Sequence, residues 1–192
     1  MVSTQEKTSM ILERLGVLQT GHFRLTSGRH SDRYMQCAKL FEHPVESAEL
    51  CSDLSERFSD VDLVAGPALG GIIMAYEVAR ALGVRNIFAE REDGRMALRR
   101  GFTVSPGERA LIVEDVVTTG GSVREVIDLL LERGAEIAGV GAVVDRSGGS
   151  VSFGAPFHAL MTLEVASWEE SECPICREGH PIVKPGSRQV RQ

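Results

Sequence analysis

Two adjacent carboxylates follow the strongest predicted strand of this chain. Residues 110–113 read Ala-Leu-Ile-Val, and Glu114 and Asp115 come directly after them. A short apolar run of this kind predicts a buried strand, so both acids should lie at its carboxyl end. Carboxylates placed there accept hydrogen bonds from sugar hydroxyls or help to hold a metal ion.

A turn of hydroxyl residues and glycines comes next. Glycines let the backbone approach an anion closely, and the N–H groups at a helix start point towards it. Hydroxyl side chains add hydrogen bonds to phosphate oxygens, and the turn contains no lysine of the kind that nucleotide triphosphate loops use. The two acids and the turn together predict a site that binds a ribose phosphate. The alternative is an ordinary strand–turn–helix unit in which a serine caps the helix. The turn residues are Val116, Val117, Thr118, Thr119, Gly120, Gly121 and Ser122.

The surrounding pattern predicts an α/β fold with a mainly parallel central sheet flanked by helices. In such sheets ligands bind at the carboxyl ends of the strands. The helix over 4–15 should bury Met10, Ile11 and Leu15, and the charged stretch 90–101 should be a mobile loop or hairpin. Extended segments are expected over 21–40, strands at 63–65, 86–89, 110–113, 137–144 and 158–165, and further helices at 44–58, 70–82 and 122–132.

Composition limits the function classes. The chain has 192 residues, 43% of them hydrophobic, and a net charge of −6, which argues against a nucleic-acid partner. No signal peptide and no membrane span are expected, so a cytoplasmic location is predicted. We expect one domain over 1–166, with about 1–40 contributing to a small hood, and a C-terminal tail over 167–192.

Residues 110–122 resemble the phosphoribosyl-pyrophosphate signature of type I phosphoribosyltransferases. Three further segments resemble those of the orotate-specific members: 25–31 their N-terminal substrate segment, 65–71 their pyrophosphate loop, and 144–146 the strand end whose arginine binds the orotate carboxylate. The resemblance implies the type I phosphoribosyltransferase fold, with a small hood formed by N-terminal and C-terminal segments.

The same resemblance implies residue roles. Glu114 and Asp115 would hold the ribose hydroxyls and serve catalysis, and Mg²⁺ would be bound mainly through the substrate, with Asp115. The turn 116–122 would hold the 5-phosphate. Within the pyrophosphate loop, the residues that would bind the pyrophosphate through backbone N–H groups are Ala68, Leu69, Gly70 and Gly71. The orotate contacts would be Thr118, Arg146, Tyr34, Met35, Ser27 and Gly28.

The sequence lacks two cationic residues that are common in the family. Well-known members often carry lysine where this chain has Thr26 and Gly70. The closing loop of the family is rich in lysine and includes a histidine, whereas residues 90–100 here contain four arginines and neither lysine nor histidine. We expect these arginines to supply part of the lost charge, with Arg91 and Arg95 in catalysis and Arg99 and Arg100 in donor binding; the alternative is a solvated charged hairpin.

The activity implied is a Mg²⁺-dependent pentosyl transfer. The 5-phosphoribosyl group would pass from 5-phosphoribosyl 1-diphosphate to orotate, giving orotidine 5′-phosphate and diphosphate in pyrimidine synthesis. The resemblance also implies a homodimer in which the closing loop serves the neighbouring site. Two alternatives stay open: a purine phosphoribosyltransferase, and a non-catalytic regulator that senses the donor.

Cys173 and Cys176 form a Cys-x-x-Cys pair in the tail. A structural zinc ion, a reversible disulfide and no function are the three interpretations. A zinc site needs four ligands. The remaining donors would come from His180, Cys37, Cys51 or a second subunit, while the other histidines are expected to be scattered surface groups.

Overall fold

The computed structural model describes residues 2–25 and 27–185. Its helices are α1 (Thr4–Arg14), α2 (Pro44–Ser55), α3 (Gly70–Leu82), α4 (Gly121–Leu131) and α5 (Pro174–Arg177), with short 3-10 helices at Cys37–Glu42 and Glu170–Glu172. Its strands are β1 (Leu18–Arg24), β2 (His30–Met35), β3 (Leu63–Pro67), β4 (Arg85–Glu92), β5 (Arg95–Leu98), β6 (Arg109–Val117), β7 (Glu136–Asp145), β8 (Phe157–Thr162) and β9 (Ser167–Trp168).

A six-stranded sheet in the order β5-β4-β3-β6-β7-β8 forms the centre of the molecule. Every neighbouring pair is parallel except β4 and β5, which form an antiparallel hairpin. One apolar cluster joins the sheet to α1, α2 and α3, and a second joins it to α4. The predicted α/β fold, a mainly parallel sheet flanked by helices, is therefore confirmed.

A second sheet of three strands joins the two ends of the chain. β1 pairs antiparallel with β2, and β2 pairs antiparallel with β9 from the C-terminal part. Arg29 donates to the carbonyl oxygen of Ser167 at 2.7 Å, and the Ser31 hydroxyl donates to the carbonyl oxygen of Ala166 at 2.9 Å. We call this sheet the hood.

Local signals set the helix ends. Ser3 caps α1: its hydroxyl accepts from the Glu6 N–H at 3.2 Å, and the Glu6 carboxylate accepts from the Ser3 N–H at 2.9 Å. Gly83 ends α3 with a φ of 72°, a backbone conformation that favours glycine.

Three expectations are refined by the structure. The charged stretch is a hairpin, with Glu92 opposite Arg95. Strand β6 continues past the apolar run to Val117, because Glu114 and Val116 keep pairing with β7. Met10 is wrongly assigned to the buried face of α1, since it is 64% exposed while Leu12 is fully buried. Within the described residues, no helix is both long enough and apolar enough to cross a membrane.

Candidate active site

The turn between β6 and α4 encloses a small cavity. Glu114 and the residues from Val116 to Val123 line a space of about 70 Å³. Gly120 precedes α4 with a φ of 73°, and a Cβ atom there would lie 2.8 Å from the Phe153 ring. Glycine is thus required both for the backbone conformation and for space. The cavity has the size of a small anion site and lies at the N-terminus of an 11-residue helix.

Arg124 contacts this turn from outside the cavity and holds it in position. Its guanidinium donates to the carbonyl oxygen of Thr119 at 2.6 Å and to that of Ser152 at 3.3 Å. The same group lies over the Phe153 ring, 5.4 Å from its centroid. These contacts fix the turn to the segment that follows β7, so Arg124 is a positioning residue that the sequence analysis did not single out.

The acid pair lies partly buried at the same edge of the sheet. Burial raises the pKa of Glu114 from its ordinary 4.5 to about 8, and the neighbouring Asp115 charge adds to the rise. Burial also raises the pKa of Asp115, whose Oδ1 accepts a hydrogen bond from the Val116 N–H at 2.8 Å. Two acids that are costly to ionise form a site that a cation or hydroxyl donors would stabilise.

The loop from Gly66 to Gly71 approaches Asp115 closely. A Cβ atom on Gly70 would lie 2.9 Å from Asp115 Oδ2, and one on Gly66 would lie 2.4 Å from the Gly71 carbonyl oxygen. The Ala68 N–H donates to Ala89 in β4 at 2.8 Å, so this amide is occupied. Of the four expected pyrophosphate residues, Ala68 therefore lacks a free amide, whereas Gly70 and Gly71 start α3, where first-turn amides have no intrahelical partner.

A larger cavity of about 1000 Å³ opens between the hood and the carboxyl end of the central sheet. It brings together five of the residues expected to contact the base: Ser27, Tyr34, Met35, Thr118 and Arg146. Thr118 and Thr119 line both cavities, so the two cavities adjoin at these residues. Gly28 lies beside Ser27 but not in the lining, and Thr26 lies outside the described residues. The lining also includes Arg24, Arg33 and Gln36, which the sequence analysis missed.

Arg146 is held by its backbone and leaves a side-chain donor unused. Its N–H donates to the Val117 carbonyl oxygen at 2.8 Å, and the adjoining Asp145 carboxylate accepts from the Ser147 N–H at 2.7 Å. The Arg146 Nε is buried and has no hydrogen-bond partner among the described residues. The Arg146 side chain also lines the larger cavity, and a guanidinium there is a strong site for a carboxylate or phosphate oxygen.

The loop arginines lie on the hairpin and mostly pair with glutamates. Arg91 donates to Glu125 of α4 at 2.7 and 2.8 Å, and Arg100 donates to Glu90 at 2.8 Å. Arg99 lies 3.4 Å from Glu92. Within the described part of the chain, neither these residues nor Arg95 line the two cavities, so their expected roles remain predictions.

The fold, the acid pair and the hydroxyl-rich turn joined to a cationic cavity define the class of phosphoribosyltransferases. In agreement, the phosphoribosyl transferase domain family matches residues 39–169. The chain is 56% identical to an orotate phosphoribosyltransferase of Caldanaerobacter subterraneus over 97% of this chain and 99% of that protein. It is 54% identical to that of Pelotomaculum thermopropionicum over 97% and 100%. The chain belongs to the orotate phosphoribosyltransferase family.

Solved structures agree with this assignment. The orotate phosphoribosyltransferase of Aeropyrum pernix superposes with a TM-score of 0.65 at 25% identity, covering 81% of this chain and 93% of that one. The adenine phosphoribosyltransferase of Leishmania tarentolae superposes with a TM-score of 0.62 at 17% identity, covering 81% and 87%. The second likeness shows a shared fold alone.

Proposed function

We propose that this chain transfers the 5-phosphoribosyl group from 5-phosphoribosyl 1-diphosphate to orotate, giving orotidine 5′-phosphate and diphosphate. The observation that carries the proposal is that the two cavities adjoin, with Thr118 and Thr119 in both linings. A phosphate in the turn and a base beside Arg146 would then be joined by a ribose that passes the acid pair. Orotate is also the substrate named by the relatives at 54–56% identity.

The charge of the larger cavity favours an anionic acceptor. Three arginines line it, and its described lining contains no aspartate or glutamate. Orotate carries a carboxylate, which matches the planar guanidinium of Arg146 in a bidentate pair. Adenine has no carboxylate and would leave the Arg146 guanidinium without an anionic partner. This difference favours the pyrimidine acid over a purine.

Catalysis in this proposal comes from orientation and charge. The turn residues bind the 5-phosphate through α4 amides and hydroxyls, which fixes one end of the donor. Glu114 and Asp115 accept hydrogen bonds from the ribose hydroxyls, and Arg146 holds orotate with its attacking nitrogen facing the anomeric carbon. The bond from the anomeric carbon to diphosphate breaks as that nitrogen bonds from the opposite face, and the proton lost from the nitrogen passes to the diphosphate or to solvent. No enzyme nucleophile is needed, and alignment lowers the barrier.

The acid pair fits the Mg²⁺ that the family implies. Asp115 is partly buried next to the Gly66–Gly71 loop, and its pKa is raised because burial makes the charged carboxylate costly. Oxygen ligands of this kind suit Mg²⁺, which is held by one or two carboxylates together with substrate phosphates. Asp115 would hold the ion jointly with the donor, and the ion would neutralise charge that builds up on the leaving diphosphate.

A homodimer with a shared loop forms part of the same proposal. Helix α3 exposes Ile73 and Tyr76, with exposures of 49% and 56%, beside Leu69 at 84%. Exposed apolar residues grouped in this way suit a protein partner. The hairpin arginines lie outside the lining of their own chain's cavities, and a neighbouring subunit would provide a site for them to serve. Replacing Tyr76 with Glu should shift the mass measured by light scattering from dimer to monomer.

A direct assay tests the proposed reaction. Protein, Mg²⁺ and the donor are mixed with either orotate or adenine, and orotate loss is followed by absorbance while purine conversion is followed by chromatography. We expect consumption of orotate only, and its loss in the Glu114→Gln/Asp115→Asn double variant. Adenine conversion would select a purine enzyme, and donor binding without turnover of either base would select a regulator.

A further inference from the structure

Four potential metal ligands converge in the hood, away from the two cavities of the active site. One ligand atom each from His22, His30, Cys173 and Cys176 lies within 4.8 Å of the other three. His22 Nε2 is 3.1 Å from His30 Nδ1 and 3.6 Å from each cysteine Sγ, and His30 Nδ1 is 3.1 Å from Cys176 Sγ. Three of the four residues are buried and Cys176 is partly buried.

These separations match a tetrahedral zinc site. Zn–N bonds of about 2.0–2.1 Å and Zn–S bonds of about 2.3 Å place neighbouring ligand atoms about 3.3–3.8 Å apart. The four distances fall within a few tenths of an ångström of that range. Two sulfurs and two imidazoles are a donor set typical of zinc, and the short His30–Cys176 distance leaves no room for a two-iron cluster between them.

The fold explains why these residues meet. His22 lies in the stretch of β1 where the register with β2 shifts, and His30 begins β2. Their imidazoles project from the same face, since His22 Nε2 is 3.1 Å from His30 Nδ1. Cys173 and Cys176 come from the tail, which contacts β1 where the Val183 N–H donates to the His22 carbonyl oxygen at 2.8 Å. Hairpin and tail each bring two ligands.

The hydrogen bond of His22 orients its second ring nitrogen towards the cluster. His22 Nδ1 lies 2.9 Å from the His180 carbonyl oxygen, which can only accept, so Nδ1 carries the proton and Nε2 offers a single lone pair. His30 Nδ1 and both cysteine Sγ atoms lie within 3.6 Å of that Nε2, so four potential ligand atoms surround one point. A carbonyl that orients a ligating imidazole in this way is a common outer contact of zinc sites.

We propose that His22 Nε2, His30 Nδ1, Cys173 Sγ and Cys176 Sγ bind one structural Zn²⁺ ion. All four positions are filled by protein, which is the arrangement of structural rather than catalytic zinc. This assignment corrects the expected donor set. His180 contributes only its carbonyl contact to His22, and Cys37 and Cys51 are buried in the main apolar cluster. His22 and His30 are buried instead of scattered on the surface.

The ion would link the C-terminal tail to the β1–β2 hairpin of the hood. The chain between His22 and His30 includes Arg24, Leu25 and Ser27, which line the larger cavity, and Pro185 of the tail lines it as well. A metal ion that joins the β1–β2 hairpin to Cys173 and Cys176 would therefore fix both chain segments that line this part of the larger cavity. The assignment does not depend on the reaction proposed above, because it concerns how the hood is held.

Metal content of the full chain tests the assignment. The protein is purified without an affinity tag under reducing conditions, and zinc per chain is measured by mass spectrometry after gel filtration. We expect about one zinc per chain in the wild type and less than about one tenth in Cys173→Ser/Cys176→Ser. His180→Ala is the matched control, because the backbone carbonyl stays in place, and it should retain the ion.

A second measurement covers the case in which the serine variant does not fold. The wild type is stripped by a chelator, reduced and loaded with Co²⁺, which gives strong visible bands and a thiolate charge-transfer band when four-coordinate with sulfur ligands. Wild type that binds neither ion after reduction would overturn the proposal. Zinc retained in the double serine variant, zinc lost in His180→Ala, or octahedral Co²⁺ would also overturn it.

Discussion

Gly70 lies against Asp115 so closely that a Cβ atom at position 70 would be 2.9 Å from Asp115 Oδ2 and 3.0 Å from its Cγ. Well-known relatives of this family often carry lysine at this position. In this chain a side chain at position 70 would displace the carboxylate that we assign to the ribose and Mg²⁺. Glycine here keeps Asp115 in its place on β6.

Replacing Gly70 with Ala should therefore impair catalysis more than folding. The displaced Asp115 should lower kcat/KM by roughly 10- to 100-fold, since misplacement of a catalytic group by about 1 Å can cost that much. The measurement is steady-state kinetics with the donor varied, together with thermal unfolding. Arg80→Ala, at the exposed far end of α3, is the control and should leave kcat/KM unchanged. Full activity of Gly70→Ala would show that Asp115 tolerates the movement.

Arg146→Ala should weaken orotate binding far more than donor binding. Loss of a buried charged partner costs about 2–5 kcal/mol, which corresponds to roughly 30-fold or more in affinity. Lysine at this position should restore little, because it lacks the planar two-donor geometry. Calorimetric titration of each substrate gives the two affinities. Equal losses on both substrates would count against the role of Arg146.

Arg124→Ala should raise KM for the donor with a smaller change in kcat. The side chain holds the Thr119 carbonyl oxygen and lies on Phe153, so its loss should loosen the phosphate turn without touching the reacting atoms. We expect a change of about 5- to 20-fold, the equivalent of roughly 1–2 kcal/mol for one charged hydrogen bond. Arg133→Ala, beyond the other end of α4, is the control. An unchanged KM for the donor would contradict the role of Arg124 in positioning the phosphate turn.

The raised pKa of Glu114 predicts a pH-dependent stability. A carboxyl whose pKa rises from 4.5 to about 8 on folding binds its proton more tightly in the folded state. The unfolding free energy of the ligand-free protein should therefore fall as the pH rises from about 4.5 to about 8. Glu114→Gln removes the contribution of this carboxyl. The thermal midpoint of the variant should therefore rise relative to that of the wild type as the pH increases.

Glu132→Gln, just after α4, serves as the control and should follow the wild-type profile. Parallel pH profiles for the wild type and Glu114→Gln would show that Glu114 ionises in the folded protein as easily as in the unfolded chain.

The sequence predicted the central segment well because its signals are local. The run 110–113, the glycines and the helix after them each have a strong preference of their own, so β6, the turn and α4 could be anticipated. The zinc ligands could not be found in that way. His22 and His30 meet through strand pairing, and only pairing the two expected extended segments across the turn at Gly28 would have shown that they share a face.

The contacts of the loop arginines are a second feature that could not be predicted from the sequence. Their charge suggested donor contacts, but the position of the hairpin beside α4 decides which groups they reach. Arg91 meets Glu125, 34 residues further along the chain. Arg24 and Arg33 were missed for the opposite reason, because nothing in their own segments indicates that the hood faces the sheet across a cavity.

The proposed site can be tested most directly by a crystal structure of the protein with Mg²⁺, orotate and a non-reactive analogue of the donor. We expect the 5-phosphate in the Thr118–Ser122 turn, the ribose hydroxyls on Glu114 and Asp115, and the orotate carboxylate on Arg146. A donor analogue bound elsewhere, or bound with both carboxylates turned away from its ribose, would contradict the proposed site.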